Sequence, residues 1–314
     1  MVKTNQHYVP RLYLKAWSVN GKIWCLKKGR IREESLRRVA SEDLFYRLQD
    51  LTVEDIFLIK KFVIERSTKI VQPLHLLVLD TFLMPLMAKK ILRPSDPLWE
   101  ELNEIICNTE ENFHSGIEHD LEKFLALMLV GDVGFFEHEK ESMKFLLCIT
   151  VQYMRTKRIR EAMVSDVSIV IDGADMRRSW NVMSHLFAIT MAHSFHCEKA
   201  KFRLVILENA SGVPFITGDQ PIINLHANLQ TGVAPTKCEF FYPLSPQRAM
   251  LMLEKPTGLP SGKVAASLQQ VEGYNDLIVK NSEGQIFAES KQSLQRFLTS
   301  TSAVKKLTPT NLAG

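Results

Sequence analysis

The chain lacks any stretch of about 20 clean apolar residues, so its sequence offers no membrane-spanning helix. Its most apolar run, Ile70 to Leu92, is interrupted by His75, Asp80, Lys89 and Lys90 and carries Pro73 and Pro85. The first 20 residues scatter Lys3, His7 and Arg11 among polar and aromatic positions and hold no apolar core of a secretory signal. Cysteine is scarce: Cys25, Cys107, Cys148, Cys197 and Cys238 are odd in number, widely spaced and without a CxxC pair. That pattern argues against a disulfide framework or a zinc ribbon and predicts free, buried thiols in a reducing cytoplasm. Also missing are GxxxxGK followed by Ser or Thr, GxGxxG, GxSxG and HExxH. Their absence weakens readings as a P-loop nucleotidase, a dinucleotide enzyme, an α/β-hydrolase or a zincin. No internal repeat or low-complexity tract is visible.

What is present is the composition of a folded protein: 314 residues, 46% hydrophobic and 24% charged, enough for two intimate halves. The net charge of +4 hides an asymmetry. Residues 1–38 carry ten Lys and Arg against two Glu, residues 39–150 eleven against twenty acids, and residues 151–314 eighteen against thirteen. A basic arm therefore precedes an acidic middle. It reads either as a surface for phosphates or as a segment that lies across the acidic helices and neutralises them.

Periodicity then divides the chain. Asn20-Gly21 predicts a tight turn joining Leu12 to Trp17 with Lys22 to Leu26 in a small hairpin. Thr52 with Asp55 three residues later reads as a helix start, and Ile56, Ile59, Val63 and Ile70 follow one helical stripe until Pro73. Leu74 to Lys90 reads as a buried, broken helical segment, and Leu98 to Val130, Glu139 to Met163 and Met176 to Cys197 as further helices. After Lys201 come short β-rich runs: Phe202 to Glu208, Val213 to Thr217, Pro221 to Leu225, Glu239 to Tyr242 and Ala249 to Leu253. Val264 to Val279 predicts a covering helix, Gln285 to Ala288 a last strand and Ser290 to Phe297 a terminal helix. The expected fold class is α+β, with an N-terminal β-hairpin and a C-terminal antiparallel sheet packed against a large central all-helical region. Residues 1–50, 51–200 and 201–314 are its three segments.

Four local patterns occur in order: Gln6-His7-Tyr8-Val9-Pro10-Arg11-Leu12-Tyr13-Leu14, Gln152-Tyr153-Met154-Arg155-Thr156, Phe215-Ile216-Thr217-Gly218-Asp219-Gln220-Pro221, and Tyr242-Pro243-Leu244-Ser245-Pro246. With Tyr274-Asn275 in the late helix, they resemble the bacterial family called domain of unknown function 4238 along almost the whole chain. The third pattern departs from the family's usual Thr-Ser-Asp-Asn-Pro at Gly218 and Gln220 and matches at Asp219 and Pro221. The resemblance implies the fold boundaries and focuses attention on these residues; it implies no reaction.

The residue types are those of acid/base and phosphate chemistry. An imidazole can take and give protons near neutral pH, and a guanidinium holds a phosphate bidentately. The expected site is the junction of the patterns, with His7 and Asp219 as acid/base pair or Asp219 as ligand to a divalent metal. Tyr8, Arg11, Gln152, Arg155 and Arg158 would bind and orient phosphate. Gln152 stands out as an amide where the Phe145-Leu146-Ile149 stripe should continue with an apolar residue, so it needs a partner. The preferred function is hydrolysis of a phosphodiester in a nucleic acid or nucleotide, with the soluble chain working in the cytoplasm. The alternative is a non-catalytic nucleic-acid- or protein-binding regulatory module in which the same residues form a structural hydrogen-bond network. Geometry separates them: an active site lines an open pocket, whereas a structural network is buried and mutually satisfied. His193, His196 and Cys197 on one helix are not read as a zinc site because no second ligand cluster accompanies them, and His114 with Glu118 and His119 on another helix is read as a solvated helix surface.

Overall fold

The computed structural model describes residues 1–165, 172–228, 235–256 and 258–298. At the amino terminus β1 (Asn5–His7) pairs antiparallel with β4 (Ser41–Asp43), enclosing α1 (Arg11–Leu14) and the hairpin β2 (Lys22–Lys27) and β3 (Arg30–Ser35). The middle is helical: α2 (Val53–Leu58), α3 (Gln72–Ile91), α4 (Trp99–Leu129), α5 (Glu139–Met154), α6 (Lys157–Ser165) and α7 (Met176–Cys197). The rest supplies β5 (Phe202–Asn209), β6 (Thr217–Gly218), β7 (Ile223–Asn224), β8 (Phe240–Ser245), β9 (Arg248–Glu254), β10 (Gly262–Ala266), α8 (Leu268–Asn281), β11 (Gln285–Ala288) and α9 (Lys291–Gln295).

Five strands form one sheet in the order β10-β5-β9-β8-β7, antiparallel except for the parallel pair β10 and β5, so it is mixed. Alternate residues of β5, β8 and β9 serve different cores. Leu204, Ile206, Phe240, Tyr242, Met250 and Met252 join the core that contains Phe124, Phe145 and Ile149 of the helices. Val205, Leu207, Phe241 and Leu251 join Val271, Ile278 and Ile286 behind the sheet. Burial on both faces is why Phe202 to Leu207 is almost continuously apolar. A third core, with Leu58, Ile59, Leu79, Phe82, Ile106 and Leu186, lies among the helices.

The second sheet, β3-β2-β11-β6, joins the two ends of the chain: Phe287 of β11 pairs with Cys25 on one side and Thr217 on the other. The first and third segments thus share a sheet around the helical middle. The hairpin lies one strand later than the sequence predicts. Both Asn20-Gly21 and Lys28-Gly29 have the two positive φ angles of a type I′ turn, but only the second joins two strands. Ahead of the first turn, Leu12 to Trp17 is helical and contributes a single bridge, Val19 to Lys22.

Other differences have local causes. Thr52 and Asp55 do form a capping box, but α2 passes into a wide π-type turn at Ile59–Ile64 and stops, leaving Ile70 exposed. Pro73 sits in the first turn of α3, where its missing N–H costs nothing. α3 runs unbroken through Pro85 and exposes Leu74, Leu77, Met84, Met87 and Ile91 rather than burying them. Val264 to Ala266 is strand, and the covering helix begins only at the Ser267 cap. Val213 to Thr217 and Pro221 to Leu225 shrink to the two-residue strands β6 and β7. Among the described residues no helix is long and apolar enough to cross a membrane.

Candidate functional site

The expected helix Glu139 to Met163 is two helices, and the break between α5 and α6 carries Arg155 and Thr156 into the interior. There each of the three nitrogens of the Arg155 guanidinium makes a hydrogen bond. Nε donates to the Tyr46 hydroxyl (3.0 Å), Nη1 to Glu118 Oε1 (2.9 Å) and Nη2 to the carbonyl of His7. One turn earlier, Gln152 Nε2 donates to the Tyr8 carbonyl at 3.2 Å. Thr156 donates to Gln220 Oε1, whose amide in turn donates to the Ile222 carbonyl at 2.6 Å. The polar stripe of α5 therefore grips the main chain of the amino-terminal arm and the turn after β6.

Asp219 is used in the same way. Its carboxylate accepts from the N–H groups of Glu283, Gly284 and Gln285 at 2.8 to 2.9 Å, fixing the approach to β11. Burial pushes its pKa up to about 6, with the three N–H donors pulling the other way. Gln285 carries the link onward, donating to the Tyr8 hydroxyl (3.1 Å) and accepting from the Ala40 N–H (3.2 Å). The Tyr13 hydroxyl meets Thr217 and donates to the Pro243 carbonyl, both at 2.7 Å, while its ring stacks on Tyr242. Trp17 donates to Phe215 O, and the Asn275 amide brackets Ile216 N–H and Pro214 O. The patterns converge as the sequence predicts, but on one another.

His7 and Arg11 alternate outwards from this arm, as expected of an extended segment and the helix turn after it. With Lys3, Lys15, Arg37 and Glu118 they line an open cleft of about 910 Å³. His7 Nε2 lies 3.2 Å from the Leu36 carbonyl, so that nitrogen carries the proton, and burial followed by the charges of Arg11 and Arg155 lowers its pKa. Arg158 is tied to Glu283 at 3.3 Å. Of the residues singled out, His7 and Arg11 face a cleft, while Tyr8, Gln152, Arg155 and Asp219 are buried. The fold does not present His7 and Asp219 side by side to a substrate, because the Asp219 oxygens are committed to main-chain donors.

The basic arm also presents cations that are not among the residues singled out from the sequence. Lys27, Lys28, Arg30, Arg32 and Arg38, with Glu34 as the single acid, line a cleft of about 550 Å³ on the β2–β3 hairpin. Among the described residues, Lys22 with Glu33 is the arm's single Lys or Arg salt bridge. The acidic middle is instead met by later cations: Glu42 by Lys157, Asp55 by Arg178, Glu118 by Arg155 and Asp120 by Lys144. The arm meets the acidic helices only at its start, where the Met1 amine pairs with Glu104 and Lys3 and Arg11 share a cleft with Glu111 and Glu118, while the cations of the hairpin cleft form no salt bridge among the described residues. The signal was the density of unpaired charge around the turn at Lys28-Gly29.

The residues able to hold a metal are others than expected. His114 is buried and meets Glu110 one turn before it at 3.5 Å and His185 of α7, not Glu118 and His119. The legible signal was a carboxylate and an imidazole four apart inside the apolar stripe of α4. His193 and Cys197 do touch, at 3.5 Å, but on an exposed surface, so the expectation of buried thiols holds for Cys25, Cys107 and Cys148 and not for Cys197 or the half-buried Cys238; His196 turns to Glu139.

A mixed five-stranded sheet, a second sheet in which the amino-terminal hairpin pairs with β11, and a helical middle pinned through the Arg155 and Asp219 hubs define the architecture. The family model "Protein of unknown function (DUF4238)" matches residues 5–292, and the chain belongs to that family. No curated protein and no solved structure matches it.

Proposed function

We propose that this chain is a non-catalytic module that binds the phosphate backbone of a nucleic acid through its amino-terminal arm. The observation that carries this reading is the cleft of Lys27, Lys28, Arg30, Arg32 and Arg38, exposed cations that form no salt bridge among the described residues and have Glu34 as the single acid beside them. Unpaired cations on one open face concentrate positive potential there and attract phosphates. Arg11, Lys15 and Arg37 lie in the neighbouring cleft, whose lining also carries Glu111 and Glu118. None of the residues lining the hairpin cleft is aromatic, which favours phosphate contacts over base stacking. Hydrolysis is the less favoured reading, because it retains His7 but loses Asp219 and Arg155 to the interior. The free thiols and the nucleic-acid ligand both fit a cytoplasmic protein.

The test is equilibrium binding of labelled RNA and DNA strands across a salt series. Five phosphate contacts predict a slope of log K against log salt of about −4, and R30E with R32E should flatten it by about 2. Absence of binding at low salt, or a slope indifferent to these variants, refutes the proposal. Strand cleavage in the same mixtures that disappears in H7A would restore the hydrolase reading.

A further inference from the structure

Glu110 and His114 lie one turn apart on α4, and His185 faces them from α7; all three are buried. Each offers a donor atom within 4.8 Å of the other two. Three of the cluster's four imidazole nitrogens have no hydrogen bond. Neither ring nitrogen of His114 has a hydrogen bond, nor does Nε2 of His185. Buried polar groups are ordinarily satisfied, so three idle imidazole nitrogens around one carboxylate require an explanation.

A single residue orients two of the three side chains. Asn181 donates from Nδ2 to Glu110 Oε2 at 2.6 Å, and its main-chain carbonyl lies 2.7 Å from His185 Nδ1. A nitrogen facing a carbonyl must carry the proton, so Nδ1, which also lies 4.0 Å from Glu110 Oε1, is the donor and the free lone pair of His185 is on Nε2. Glu110 likewise keeps Oε1 for the interior of the cluster, 3.5 Å from His114 Nε2. Supporting bonds of this kind set the tautomer and direction of metal ligands. Around them, Tyr46, Phe82 and Phe113 pack on the imidazoles at centroid distances of 4.6 to 5.2 Å, forming an apolar collar.

We infer that Glu110, His114 and His185 form a binding site for a divalent first-row metal ion that ties α4 to α7. Two imidazoles and one carboxylate suit Zn²⁺ or Fe²⁺ and disfavour Mg²⁺ and Ca²⁺, which want oxygen ligands. The carboxylate offsets half of the ion's charge. Arg155, the nearby cation, is already paired with Glu118 at 2.9 Å. This site is independent of the basic clefts, and its loss would leave the nucleic-acid reading standing.

The test uses the full chain, unfolded in chelator and refolded with excess Zn²⁺ or, anaerobically, Fe²⁺, then desalted and assayed for metal. Refolding removes the question of access to a buried site. About one ion per chain should remain with one of the two metals, and the thermal midpoint should exceed that of the chelated protein. E110Q keeps the volume and should weaken retention at least about 100-fold, more than the loss of a supporting partner costs. Should E110Q not fold, His185→Gln serves instead, its amide able to meet the Asn181 carbonyl. C197S must keep the ion, because it disables only the surface pair with His193. No stoichiometric ion with either metal, equal retention in the ligand variant, or loss in C197S overturns the site in favour of a neutral buried cluster.

Discussion

Arg155→Lys separates a structural hub from a ligand-binding arginine. A lysine keeps the positive charge and can still reach Glu118, but a single ammonium cannot also meet the Tyr46 hydroxyl and the His7 carbonyl that the guanidinium fork spans. Arg155 is 4% exposed, so water does not replace the lost bonds. Hydrogen bonds to a charged donor contribute about 1.5–3 kcal/mol each, and Tyr46 retains the His7 carbonyl as its own acceptor at 3.3 Å. The net expectation is a loss of about 3 kcal/mol, within the range for breaking a buried ion pair. Urea unfolding followed by far-ultraviolet circular dichroism and by tryptophan fluorescence measures it, coincident transitions licensing one free energy. Adding Tyr46→Phe closes a double-mutant cycle, and the two changes should be coupled by at least about 1 kcal/mol. An arginine held out for a phosphate behaves otherwise: its lysine variant stays within about 0.5 kcal/mol of the parent. That result, or additivity in the cycle, refutes the hub.

For Asp219, a folded pKa of about 6 against about 3.9 unfolded means that its protonated form stabilises the fold below pH 4 and that this stability is lost as pH rises through 6. The stability advantage of the parent over D219N should therefore narrow by up to about 3 kcal/mol between pH 4 and pH 7; a widening gap contradicts it. Native thiol titration should label Cys197 first, because Cys25, Cys107 and Cys148 are buried and the Cys238 thiol is pushed up to about 12 by burial; denatured, non-reduced protein should give all five. Thr52→Ala removes one half of the capping box and should cost about 1 kcal/mol by the same unfolding assay.

What the sequence made legible was whatever depends on near neighbours. The Thr52–Asp55 box, α7 from Met176 to Cys197 and β11 from Gln285 to Ala288 fall where propensity and period put them. The break at Arg155 was not legible. Continuing α5 through Met163 satisfies every local rule, and what opposes it is a set of partners at His7, Tyr46 and Gln220, far away along the chain. Gln152 shows the same limit from the other side. Its misfit in an apolar stripe correctly called for a partner, but that partner is the main chain of Tyr8, 144 residues earlier, rather than a ligand.

Side chains that can bind phosphate can equally bind carbonyls and backbone amides, and here the two uses divide by direction. Chemistry-bearing residues that point inwards are consumed where the arm crosses α5 and β11: Arg155 on His7, Gln152 on Tyr8, Gln285 on Tyr8, and Asp219 on the N–H groups before β11. These bonds hold together elements that no common local segment links, so they fix the register of the second sheet against the helical middle. Residues of the same arm that point outwards carry charge in excess of the acids beside them: Arg30 and Arg32 share the hairpin cleft with the single acid Glu34, and Lys3 and Arg11 share the other cleft with Glu111 and Glu118. Unpaired cations on one face raise the energy of the folded chain by mutual repulsion, and an anion bound between them relieves it. The inward set thus explains why the arm is held rigidly in place, and the outward set explains what a rigidly held arm of that charge is suited to receive.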